Sequence, residues 1–273
     1  MLFYYVINLF VTFDRDQDRE LEKEMGDYIQ ESLLNAVKIT FFCLSPWVIV
    51  ALLMQILSSI LRTILAQKIG TMAYVYLTAP GVMVHELSHA GFCLLFGHTI
   101  TDMRLFSPQE DGTLGYVSHR YNPRNFYHQI GNFFIGTGPI WGGAVLLWVL
   151  SCWLLPESVT SGNKSLPLQM LEFMKMFFTL NFWGSWQGWL WLYLAFTITL
   201  HITLSPPDLK GALTGFCFLL FVIVFTCLCF GWCGHWETFL INAVLLAFGA
   251  VLPLFVLTLL VLVLGVAALS AFR

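Results

Sequence analysis

Residues 81–92, GVMVHELSHAGF, place His85, Glu86 and His89 inside a strongly apolar stretch of the chain. On an α-helix, residues four apart share a face one turn apart, so His85 and His89 can offer two imidazole nitrogens to a single ion. Zinc takes such nitrogens at about 2.0–2.1 Å and draws the pKa of a water it binds towards about 7. Glu86 is offset around the same helix towards His89. There it can take that water's proton as general base without being a ligand. H-E-x-x-H is a short pattern that also arises by chance, and its meaning depends on helical context, which this apolar run supplies. The rival reading is a helix whose polar groups bond to neighbouring helices. A lone glutamate in such a span is costly without a partner, which favours the metal.

A catalytic zinc takes three protein ligands and keeps one position open. In HITLSPPDLKG, Asp208 is the only carboxylate between Glu172 and Glu237. Pro206 and Pro207 break the helix just before it, and broken helix at membrane depth is tolerated where it lines a cavity. That points Asp208 to the third position; the competing role is a cap on the helix that follows. His201 is the other candidate, although a single histidine in an apolar run reads first as a hydrogen-bonded core residue. His98, His119 and His128 are expected at the surface or interface, where any of them could touch a substrate.

The elements that must carry these residues are membrane helices. The chain has 273 residues, 58% hydrophobic and 11% charged, whereas soluble domains carry about a quarter charged residues. The pattern predicts an all-α polytopic membrane protein with about six spans, near 38–61, 71–96, 129–155, 188–204, 211–232 and 238–268. Pro80 interrupts the second and starts the helix that carries the histidines. Residues 1–37 form an interfacial, charged N-terminal segment, and 38–268 a single transmembrane domain. Residues 98–120 alternate β-branched and aromatic positions around SPQEDG and predict a β-hairpin. A helix over about 166–180 is expected in the interface, with Trp183, Trp186, Trp189 and Trp191 as an aromatic belt. The Lys and Arg distribution puts the termini and the hairpin in the cytoplasm. The net charge of −3 argues against a nucleic-acid partner, and seven cysteines without loop spacings give no disulfide framework. MLFYYVINLFVTF lacks the basic start of a cleavable signal peptide, and no internal repeat is visible.

HELSH in a membrane helix, followed by FGHTITDMRLF, resembles the site-2 protease family of intramembrane zinc metallopeptidases. GTGPIWGG, residues 136–143, is similar to that family's Gly-Pro motif, and the aspartate of its late Leu-Asp-Gly motif maps onto Asp208. The likeness covers residues 78–143 and 201–212. Two positions depart from it. Gly211 stands three residues after Asp208 instead of next to it, and residues 141–143 lack the family's asparagine. The resemblance implies a zinc-dependent endopeptidase that cuts membrane proteins in or near their transmembrane segments. His85, His89 and Asp208 would hold Zn2+, and Glu86 would activate water and protonate the leaving amine. The substrate would unwind and add as a strand to hairpin 98–120. Other readings of the same residues are a non-catalytic zinc-binding regulator or scaffold and a proton- or cation-coupled transporter. The lack of a repeat counts against the last.

Overall fold

A computed structural model describes residues 2–156, 171–172 and 175–230, together with 242, 263, 265 and 267. Most of the span expected at 238–268, and most of the helix expected at 166–180, lie outside the described residues. The regular elements among the described residues are helices and one two-stranded antiparallel sheet.

Helix α1, Leu2–Ile69, runs unbroken through the boundary expected near residue 37. It ends at Gly70, whose φ of +86° is a backbone conformation that glycine adopts freely and L side chains rarely do. Helix α2, Thr71–Leu77, and helix α3, Ala79–Leu95, follow. Pro80 lies in the first turn of α3, where a missing N–H costs nothing. Gly97 closes α3 with φ +69°. Its N–H donates to Leu94 O and the N–H of His98 to Cys93 O, the paired bonds of a Schellman turn. That turn reverses the chain into the hairpin.

Strands β1, Thr99–Arg104, and β2, Tyr116–Arg120, pair antiparallel with Ile100 opposite His119, and the register shifts between Ile100 and Asp102. The hairpin does not stand beyond the end of α3; it folds back along it. Phe106 and Leu114, near its tip, pack on Leu61, Leu65, Tyr74, Val75 and Leu200. Phe106 also meets the Tyr76 ring edge-on at 5.6 Å.

Helix α4, Phe126–Gly136, is capped by Asn125, whose side chain accepts the Tyr127 N–H at 3.0 Å. Helix α5, Gly138–Leu154, departs from it at 62°, so the span expected at 129–155 is a bent pair. Helix α6, Leu180–Gly184, leads into α7, Trp186–His201, capped by Ser185. Helix α8 covers Pro206–Phe230. Two stretches, Ala51–Ile69 and Pro206–Cys229, are long and apolar enough to cross a membrane, or three if the bent pair counts as one span. The six expected spans are therefore not all present as single helices. The 71–96 stretch divides at Thr78 into helices of 7 and 17 residues, and α7 has 16, against the roughly 20 a span needs.

The chain forms two compact units. One joins Met1–Ser45 with Leu220–Val244. In it Ala36, Ile39 and Cys227 are buried together and the Tyr28 hydroxyl donates to the Leu228 carbonyl. The other joins Pro46–Leu219 with Leu245–Arg273 and contains every residue discussed below. Its core includes Leu147, Ala195, Ile198 and Trp191. Trp191 corrects the expected aromatic belt. It is 0% exposed and donates its indole N–H to Ser151 Oγ at 3.0 Å, whereas Trp183, Trp186 and Trp189 are exposed. The period of α7 turns Trp191 inward. α3 approaches α7 closely at Gly81, where a Cβ would strike the Thr197 carbonyl, and this contact holds the histidine helix against the end of α7.

Candidate metal centre

His85 and His89 project from one face of α3, their Nε2 atoms 3.1 Å apart. Each ring is fixed from behind by a main-chain carbonyl. His85 Nδ1 lies 2.7 Å from His201 O, and His89 Nδ1 lies 2.7 Å from Ile135 O. A carbonyl only accepts, so both Nδ1 atoms carry a proton, and each ring in its neutral form presents an Nε2 lone pair. The Asp208 carboxylate closes the triangle. Its Oδ1 is 3.2 Å from His89 Nε2 and its Oδ2 is 3.6 Å from His85 Nε2.

With both rings neutral, three acceptors converge without a donor between them. One added proton bridges only two of them; a divalent cation bonds all three. Among the described residues, His85, His89 and Asp208 form a group that could hold a metal ion, with ligand atoms all within 4.8 Å of one another. Two imidazole nitrogens and a carboxylate oxygen suit Zn2+. Donation of the far N–H to a carbonyl is how metal-bound histidines are usually oriented. The donor set therefore fits zinc.

Asp208 belongs to the group that could hold a metal ion and also caps α8. Ser205 Oγ accepts the Asp208 N–H at 3.4 Å, and Asp208 Oδ2 accepts the Ser205 N–H at 2.8 Å and its hydroxyl at 2.6 Å. This is a capping box, and Pro206 and Pro207 fill the two positions between, where no N–H is needed. The cap aims Oδ1 at His89. The α8 turn reaches the site because α4 ends in a glycine: a Cβ at Gly136 would lie 2.5 Å from Asp208 O.

His201 contributes its carbonyl to the site. Its ring faces away, with Nε2 3.0 Å from Thr78 Oγ1. The Thr78 hydroxyl donates to Tyr74 O, so it accepts from His201, which is a buried, hydrogen-bonded core residue.

Glu86 is buried and lines the same cavity of about 780 Å³ as the three candidate ligands. Among the described residues its carboxylate has neither a hydrogen-bond nor an ion-pair partner. The hairpin passes directly against it: a Cβ at Gly115 would lie 2.8 Å from Glu86 Cγ and 2.9 Å from Arg104 O.

The sequence put His98 and His119 at the surface or interface, and the structure draws both inward from the surface. His98 is 3% exposed, and His119 is half-buried in the cavity wall. Strand alternation was the available signal, since Val117 and His119 share a face of β2 and both line the cavity. Burial holds the pKa of both rings below the usual histidine value, and their mutual proximity lowers His119 further. His128 is half-buried and accepts the Asn122 N–H at 3.2 Å. Arg62, which the sequence offered only as the polar end of a span, also lines the cavity.

No protein-family model, curated protein or solved structure matches the chain.

Proposed function

We propose that the chain is an intramembrane zinc metallopeptidase that hydrolyses peptide bonds in or near the transmembrane segments of membrane proteins. The observation that carries this reading is the convergence of His85, His89 and Asp208 as acceptors, with the unpartnered Glu86 carboxylate beside them. The likeness of HELSH and its surroundings to site-2 proteases supports it at the level of sequence motif.

His85, His89 and Asp208 would hold Zn2+, which supplies Lewis-acid polarisation and an acidified water when bound. The His201 and Ile135 carbonyls hold the Nδ1–H tautomer and aim the two imidazoles. Glu86 takes a proton from the attacking water. As water oxygen bonds to the carbonyl carbon and the C–N bond breaks, Glu86 returns that proton to the leaving amine. Among the described residues each strand of the sheet has one unpaired edge, where an unwound substrate segment can add by main-chain hydrogen bonds. A multi-pass topology with the termini and the hairpin on the cytoplasmic side belongs to the same reading.

The test is Glu86→Gln in the full chain, reconstituted with a panel of single-span membrane proteins. Zinc content is expected to match wild type while cleavage is lost. Equal cleavage by the variant removes Glu86 as the base. A zinc-loaded wild type that cuts no member of the panel favours the non-catalytic regulator.

A further inference from the structure

The wall of the metal-site cavity contains one lysine or arginine among the described residues, Arg62 of α1. Its side chain is half-buried. Nη1 donates to Thr203 Oγ1 at 3.4 Å, so one of the five guanidinium donors is engaged. Among the described residues Arg62 takes part in no ion pair. The acids sharing the cavity are not its partners. Asp208 is turned to Ser205 and the two histidines, and Asp111 accepts the Thr113 N–H at 2.9 Å. An arginine in a membrane helix that faces a cavity rather than lipid marks a binding pathway.

The surroundings are polar in a particular way. Gln55 and Arg62 are seven apart, two turns on one face of α1, and both line the cavity. Thr203 follows His201 by two residues, and the His201 carbonyl orients His85. The guanidinium is therefore tied to the same segment that positions a candidate ligand. A planar guanidinium with free parallel donors matches a carboxylate in two-point contact, and a carboxylate is the anion an unmodified polypeptide brings.

We propose that Arg62 is a carboxylate-recognition residue of this cavity, so that the preferred substrate carries an acidic side chain or a free C-terminal carboxylate close to the bond that is cut. The inference rests on the peptidase reading and names its substrate class.

Binding to the zinc-loaded full chain carrying Glu86→Gln tests it without turnover. The probes are apolar peptides of one sequence in which Glu, Gln or Lys is walked along the chain. Each is made with a free C-terminal acid and as the amide, and affinity is read by fluorescence anisotropy. Glu over Gln by about tenfold or more identifies the side chain as the ligand, and acid over amide by the same factor identifies the terminus. Either preference should vanish on adding Arg62→Gln, and Arg62→Glu should favour the Lys peptide. Zinc content reports whether each variant folds. If Arg62→Gln loses zinc, Arg62→Lys serves instead, with a weakened preference expected from loss of the two-point fork. A preference that survives Arg62→Gln, or equal binding of all peptides, overturns the proposal and leaves the peptidase reading standing. Failure of every peptide to bind overturns both.

Discussion

His98 Nδ1 and His119 Nδ1 lie 3.0 Å apart, and His98 Nε2 lies 3.0 Å from the His128 carbonyl. The carbonyl only accepts, so His98 carries its proton on Nε2 and presents a lone pair at Nδ1. His119 must then donate from Nδ1, which leaves its Nε2 unprotonated in the cavity wall. Two neutral rings in fixed tautomers join the root of α3 to β2, and this join holds the hairpin over Glu86.

A pH dependence follows from that join. Burial keeps both rings neutral in the fold and lowers their pKa values below the ordinary histidine value, which is about 6.5. On acidification the unfolded chain takes up these protons first, so the folded form binds fewer. Stability is then complete above about pH 6.5 and falls as pH drops below it, until the folded rings also protonate. The opening free energy of the β1–β2 amides, read from hydrogen exchange corrected for the intrinsic rate at each pH, is expected to fall between neutral pH and pH 5. His98→Gln should flatten that slope, while a slope unchanged in the variant would assign the effect to other groups.

The Ser205–Asp208 cap permits a separation of roles. Ser205→Ala removes the hydroxyl that orients Oδ2 but leaves the carboxylate in place. Loss of an N-cap side chain costs about 1 kcal/mol, and loss of an orienting partner weakens metal binding about 10–100-fold. Asp208→Asn removes the charged ligand oxygen and should weaken zinc more than Ser205→Ala does. Competition against a zinc chelator ranks the two variants. Equal affinities for wild type and Asp208→Asn would mean that Asp208 is a cap alone.

Those parts of the site that depend on local spacing could be read from the sequence. His85 and His89 share a face because four residues make about one turn, and Ser205-Pro-Pro-Asp208 is a capping box in its letters. Asp208 stood out as the only carboxylate in a long apolar stretch. What escaped were contacts made by distant segments. His119 and Arg62 reach the cavity because the hairpin folds back along α3 and α1 packs on α2; Gly97 and Gly70 mark where the chain turns but not which distant surface it then meets. Pro80 marked the break at Thr78 in the sequence, whereas the 62° bend at Thr137 had no such mark, because hydropathy averages over a break that the backbone respects.

Two glycines of α4 and α8 test the packing that brings Asp208 to the histidines. At Gly136 a Cβ would lie 2.5 Å from Asp208 O and 2.6 Å from Ala212 N, both main-chain atoms that cannot yield without moving the first turn of α8. Gly136→Ala should therefore cost about 1–3 kcal/mol, the usual range for overpacking. It should also weaken zinc about tenfold or more, because the adjacent Ile135 carbonyl holds His89. Gly211, in the α8 turn after Asp208, has nothing within 4 Å of the same added atom. Alanine is favoured over glycine inside a helix by about 1 kcal/mol, so Gly211→Ala should raise the thermal midpoint slightly and leave zinc affinity alone. Thermal unfolding with and without zinc reads both effects. If Gly136→Ala binds zinc as tightly as wild type, then Asp208 does not depend on the close approach of α4 for its place beside His89.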